Sequence, residues 1–387
     1  MPERKNQHYV PQFYLDAWAT DEKVDTLHLE SGNVFDQHLT KVCARNYFYS
    51  INTAVEEEFA DLEGFHSGPI KRLRNGWTLT DLTDKELKLL YSFVTTQRFR
   101  TKAKRSDIEE GDEFFRDGAR DDLESGRYED IIKWKGDLSD EEKEDALVDA
   151  SILGIHHRDI AHGIFGYIGI GDLEAVMLRN VTSHEFVVSD SPVVHENPAF
   201  KERRELKIGG LANRGLQIYC PIGPDRMLLL YDSFVYSFDS NSKHQVLVKS
   251  ENVVDELNLL QFHSAENIVM FDSCSEEYVQ GLLNRMDEVR RREEITFPLE
   301  IETGETLQFT EVPHHQLPRL SPSLPDCTIN TGLSYTKERS TCQAPVQRKL
   351  VHLIFNESHG ASDVAVIYSI RLLQELLDLE RYDPGLG

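Results

Sequence analysis

Apolar residues recur along this chain with two periods, and the change from one to the other marks a change of structure. From Thr53 onward, Val55, Phe59, Leu62, Phe65 and Ile70 follow at intervals of three to five, one stripe on a helix that ends near Gly76. Thr83, with Glu86 three residues later, has the form of a capping box. It opens a second helix bearing Leu87, Leu90, Tyr91, Val94 and Arg98 on neighbouring turns. Ser139 and Glu142 repeat the form and predict a third helix, which buries Ala146, Leu147, Ala150, Leu153 and Ile160 and runs to about Phe165. Between the second and third, residues 106–138 are charged and short of aliphatics, as suits an excursion of small helices.

Elsewhere the period is two. Residues 24–29 and 33–38 flank Ser31-Gly32-Asn33, whose Gly and Asn suit a hairpin turn. Residues 174–179, 185–189, 217–220, 226–231 and 246–249 read as further strands. Pro221-Ile222-Gly223-Pro224 reads as a turn whose prolines end the pairing. Helices are expected near 253–262 and 276–292, the second with Tyr278, Leu282, Leu283 and Met286 inward. The pattern predicts an α+β fold: a largely helical N-terminal half, then an antiparallel β-sheet region with flanking helices, in one main domain over about residues 1–300. Residues 301–349 lose apolar density and gain Pro, Ser, Thr and His, as a linker or poorly ordered lobe would. A strand at 350–355 and a helix at 364–379 then form a tail too small to stand alone, which must dock on the main body or on a partner.

Composition narrows the function. The 387 residues are 40% hydrophobic and 28% charged, a globular balance. No run approaches the roughly 18 apolar residues of a membrane span. The opening Met-Pro-Glu-Arg-Lys-Asn lacks the apolar stretch of a secretory signal, so a cytoplasmic location is expected. A net charge of −25 argues against a surface that coats nucleic acid in general, because neutralising phosphates needs clustered Lys and Arg. Such a concentration does occur locally, at Arg98, Arg100, Lys102, Lys104 and Arg105, where it also fits the cationic end of a helix. Cys43, Cys220, Cys274, Cys327 and Cys342 are odd in number and widely spaced, so neither a disulfide scaffold nor a structural zinc site is expected.

Candidate chemistry begins with Asn6-Gln7-His8-Tyr9-Val10-Pro11-Gln12-Phe13. Pro11 holds Val10 extended, so side chains alternate: Asn6, His8 and Val10 on one face, Gln7 and Tyr9 on the other. Asn6 is then placed to orient the His8 imidazole. This octet resembles the opening of the family known as domain of unknown function 4238. The likeness continues through Asn46-Tyr47-Phe48-Tyr49, Glu56, Glu63, Gln97-Arg98-Phe99-Arg100-Thr101, Ser189-Asp190-Ser191-Pro192-Val193 and the Cys220–Pro224 turn, over about residues 6–290. The resemblance implies a fold and a set of positions, and no activity.

Those positions are suggestive in themselves. Glu56 and Glu63 lie seven residues apart, nearly two turns, and so share a helix face beside Val55, Phe59 and Leu62. A carboxylate drawn inward there needs a partner, and Arg98 and Arg100 are the nearest in chain order. Asp190 ends an apolar strand and is presented either at a site rim or in a turn. Within His156-His157-Arg158-Asp159-Ile160-Ala161-His162 the histidines are not spaced for one metal ion on a helix. Gly166-Tyr167-Ile168-Gly169-Ile170-Gly171 lacks the setting of a dinucleotide fingerprint, and no phosphate loop occurs.

Two functions from different classes remain. One is a hydrolase in which His8, Glu56, Glu63 and Asp190 act on a phosphodiester or other anionic substrate held by Asn6, Gln97, Arg98 and Arg100. No cofactor is evident, though the acids offer a place for Mg²⁺ or Mn²⁺. The other is a non-catalytic binding or interaction module in which the same residues form a structural network. The C-terminal helix would then serve a partner or a homo-oligomer.

Overall fold

The helical stripes and the alternating strands meet in a shared core. A computed structural model of the chain describes residues 6–50, 53–125, 139–201, 210–289, 295–300, 306–311, 322–330, 332–333, 338–358 and 361–379. The long helices are α1 (Thr53–Arg74), α2 (Asp84–Phe99) and α5 (Asp140–Ile164), with α3 (Lys102–Glu109) and α4 (Asp112–Glu124) as the charged excursion. Both capping boxes form. Thr83 accepts from the Glu86 amide and Ser139 from the Glu142 amide, while each glutamate returns a bond to its cap residue. The helices approach closely where side chains are absent: a Cβ added at Gly163 would lie 2.7 Å from Thr96 Cα.

The N-terminal strands are β1 (Asn6–His8), β2 (Lys23–His28), β3 (Val34–His38) and β4 (Ala44–Asn46), and β2 and β3 are the expected hairpin, with Gly32 at φ +67° in its turn. The central strands are β5 (Glu174–Asn180), β6 (Val188–Ser189), β7 (Val194–Glu196), β8 (Gln217–Gly223), β9 (Arg226–Tyr231), β10 (Tyr236–Phe238) and β11 (Gln245–Val248). A five-stranded sheet runs β11-β5-β9-β8-β7, antiparallel except for the β11–β5 pair. Its alternation buries both faces. Ile218, Leu228 and Leu230 meet the helical layer, while Tyr219, Met227 and Leu229 meet α6 (Glu251–Ser264) through Val254, Leu257 and Leu260. β12 (Ile268–Phe271) places a second sheet in the order β3-β2-β12-β6, and α7 (Glu276–Val289) covers it.

Two expectations fail. The prolines do not end β8, which passes through Pro221, paired with Met227, to Gly223; β7 reaches only Tyr219 and the register shifts after Pro221, the setting in which a strand admits proline. The tail is not a strand followed by a helix. Residues 350–355 lie inside α8 (Ala344–Glu357), followed by α9 (Ser362–Leu376). Val351, Ile354, Val366, Ile370 and Leu373 join the same apolar cluster as Tyr14, Phe59 and Phe93. A segment such as Val351-His352-Leu353-Ile354-Phe355 suits a strand locally, but helical spacing puts Val351 and Ile354 on one inward face.

Much of the expected 301–349 linker, including Pro313–Pro318, lies outside the described residues. Within the part described, β15 (Cys327–Ile329) pairs with β10, and Arg339 is buried. Residues 295–300 and 306–311 form a hairpin, β13 (Ile295–Glu300) with β14 (Thr306–Glu311).

Candidate functional site

The opening octet is anchored by a residue other than its histidine. β1 pairs antiparallel with β4, and the alternation turns Gln7 inward and leaves Asn6 exposed. Gln7 is fully bonded: its Oε1 accepts the Tyr49 amide at 2.7 Å and its Nε2 donates to the Ser50 carbonyl at 2.9 Å. The strand stops at His8, so Val10 leaves the face it was expected to share and is buried. Asn6 donates to the Thr40 carbonyl at 2.6 Å rather than to His8. The imidazole is instead held by the Leu39 carbonyl, 3.3 Å from Nε2, and by the Gln12 side-chain amide, whose Nε2 lies 3.1 Å from the ring's Nε2 and 3.4 Å from its Nδ1. When Nε2 carries the proton it donates to Leu39, and Gln12 can then donate only to Nδ1, the longer of its two approaches to the ring. Burial, aided by the nearby Arg100 charge, lowers the pKa of the ring.

Arg100 is the hub. Its Nη2 donates to Glu63 Oε1 and to the His8 carbonyl, each at 2.7 Å, and its Nε donates to the Tyr49 hydroxyl at 2.9 Å. The guanidinium also lies over the rings of Phe59 and Tyr49, with centroids at 5.0 and 5.4 Å. Thus His8 meets Arg100 through its backbone. Glu56, half-buried one stretch of helix away, is a charged neighbour of Tyr49.

The remaining expected residues are divided. Gln97 is buried beside the octet and donates to the Tyr9 carbonyl at 2.9 Å. Arg98 is turned elsewhere, with Asp107 as its charged neighbour and burial lowering its pKa. Asp190 sits past the end of β6, where its two oxygens accept the amides of Glu266 at 2.8 Å and Asn267 at 2.9 Å. Burial pushes this carboxyl up to about 6 against the pull of those amides. Its bonds pin the turn before β12 and do not reach Arg100, Glu63 or the His8 ring.

The network extends to partners that sequence reasoning did not join to it. His157 donates from Nε2 to the Tyr49 carbonyl at 2.8 Å, leaving Nδ1 to accept from Ser362 Oγ at 2.9 Å. Ser50 Oγ donates to Asp363 at 2.6 Å. Buried Glu58, between the two expected acids, takes Arg371 of α9 at 2.6 Å. Only the apolar stripe of α1 hinted that a third acid could turn inward there. Among the described residues, no three His, Cys, Asp or Glu side chains are grouped to hold a metal ion. No helix among them is long and apolar enough to cross a membrane.

Residues 6–275 match the family described as protein of unknown function, DUF4238. The chain belongs to the DUF4238 family. That match takes in Gln7, Tyr49, Glu63, Arg100 and Asp190, whereas α8 and α9 of this DUF4238 protein lie beyond it. Neither the curated proteins nor the solved structures contain a match to the chain.

Proposed function

We propose that this DUF4238 protein is a non-catalytic binding module, in which the family-matching residues clasp the N-terminal segment to the helices. One observation carries the proposal: Arg100, the cation best placed for an anionic substrate, is buried and committed to Glu63, Tyr49 and the His8 carbonyl. A hydrolase acting on a phosphodiester would have to take Arg100 from those three partners before it could offset charge on a substrate. It would also have to free the His8 ring from Leu39 and Gln12 before the ring could take a proton.

The alternative keeps one point in its favour. Glu63 remains one quarter exposed, so a carboxylate does reach the surface beside His8. Purified protein assayed with Mg²⁺ or Mn²⁺ on RNA, DNA and nucleotide panels is expected to show no turnover that Glu63→Gln or His8→Ala removes. Both variants are expected to lower the melting temperature. Turnover abolished by Glu63→Gln at an unchanged melting temperature would replace the module with the hydrolase.

A further inference from the structure

A cleft of about 530 Å³ opens between α2, the single helical turn Gly166–Gly169 and the turn that leads into α8. Its size lies within the roughly 300–1,000 Å³ typical of small-molecule sites. Leu87, Tyr91, Tyr167 and Ile168 supply apolar wall, and Asp84 and Lys88 stand at its edge.

The cleft is held rigidly. Arg339 is buried and grips Asp172 with two bonds of 2.9 Å, and it also donates to the carbonyls of Leu211 at 2.7 Å and Gly169 at 3.0 Å. Thr341 adds a 2.7 Å bond to the same aspartate. Behind this wall α8 packs closely on the turn, where a Cβ at Gly169 would lie 2.4 Å from Gln347 Oε1. Asp172 is therefore neutralised by its own partners, with Arg339 first among the charges facing it.

Asp84 and Lys88 are different. They are exposed and four residues apart on α2, a spacing at which opposite charges usually pair. Yet among the described residues neither side chain makes an ion pair or a side-chain hydrogen bond, with the other or with any third group. The Tyr167 hydroxyl likewise has no partner among them, while that of Tyr91 is spent on the Leu173 carbonyl at 3.0 Å. One free anion and one free cation thus flank an apolar wall.

We propose that this cleft binds a small zwitterion with an apolar body, the chemistry of a free aromatic amino acid. Lys88 receives the carboxylate, Asp84 the ammonium, and the tyrosines with Leu87 and Ile168 take the side chain. The proposal deepens the binding-module reading by naming a site and a ligand class, and the two fail separately. Turnover on phosphodiesters bears on the module, and calorimetric binding bears on the cleft.

The test is isothermal titration of the full chain with L-phenylalanine, phenylacetate and phenethylamine. Phenylalanine is expected to bind, and each single-charge analogue to bind about tenfold more weakly. Lys88→Gln should weaken phenylalanine about tenfold and leave phenethylamine unchanged. Asp84→Asn should weaken phenylalanine and leave phenylacetate unchanged. Both positions are exposed, so the circular dichroism of the variants checks that the fold persists. The proposal is overturned if phenylalanine gives no binding at millimolar concentration. It is equally overturned if an analogue binds as tightly as phenylalanine, or if both variants bind phenylalanine like the wild type.

Discussion

The guanidinium of Arg100 and the carboxylate of Glu63 lie 2.7 Å apart, yet the first is 2% exposed and the second 25%. The two ends of this ion pair therefore respond differently to truncation. Without Glu63 the buried guanidinium keeps Tyr49 and the His8 carbonyl, so Glu63→Gln is expected to cost about 1–2 kcal/mol. Arg100→Met removes all these bonds at once and strands a carboxylate and a carbonyl, at about 3–5 kcal/mol. Urea unfolding of both variants measures the order. Equal losses would mean that Arg100 is not the hub.

Acid should loosen the protein through histidines that the fold keeps neutral. Burial lowers His66 to about 3, helped by the Arg100 charge, and lowers His156 to about 3, helped by His157 and Arg105. The unfolded chain takes up protons near pH 6.5 and the folded chain resists, so stability is lost as pH falls from about 6.5 toward 3. Each group contributes about 1.4 kcal/mol per pH unit inside that window. Denaturant titrations at pH 7 and pH 5 should show the slope, and His156→Phe should flatten it. An unchanged slope in that variant would count against a neutral buried His156.

Asp190 acts in the opposite sense. Its folded value, about 6, lies above its ordinary 3.8, so the folded state holds the proton more tightly. Its contribution is fully present below pH 3.8 and is lost as pH rises through 6, a span worth roughly 3 kcal/mol. The stability gap between wild type and Asp190→Asn should therefore narrow as pH climbs from 4 to 6.5. A gap that stays constant would show that the carboxyl titrates normally.

Two glycines of α5 give a paired prediction about packing. A methyl at Gly163 meets the backbone of α2, at 2.7 Å from Thr96 Cα and 2.9 Å from the Thr95 carbonyl oxygen, and neither atom can step aside. Gly163→Ala is expected to destabilise by about 1–3 kcal/mol. Gly154→Ala on the same helix meets nothing within 4 Å and should stabilise by about 0.5–1 kcal/mol through helix propensity alone. Thermal melts of the two variants moving in the same direction would contradict the close contact.

What was legible in the sequence was local. Thr83 with Glu86 and Ser139 with Glu142 carry their capping geometry within four residues, so the starts of α2 and α5 could be placed. The β2–β3 hairpin was equally plain from its turn. The stretch 350–355 misled because its residues suit a strand, and only the core waiting for Val351 and Ile354 makes it helical. Pro221 misled for a related reason: whether a proline ends a strand depends on where its neighbour strand stops, which lies elsewhere in the chain. At the site, the pairing of Glu63 with Arg100 was anticipated from two successive helices. The bonds from Gln7 to Tyr49 and from His157 to Tyr49 were not, because no pattern along one sequence marks residues that meet from 42 or 108 positions apart.

The bond from Ser50 to Asp363 spans 313 residues, and it shares a loop with the anchor of Gln7. On the ribosome, the Tyr49–Ser50 loop therefore waits for one of its partners until α9 emerges. At roughly 5–20 residues per second, that wait is on the order of 15 to 60 seconds. β1, made long before α9, is bonded to a loop that gains its full set of partners only when α9 arrives. A nascent chain halted before α9 should leave the Tyr49–Ser50 loop open to proteolysis.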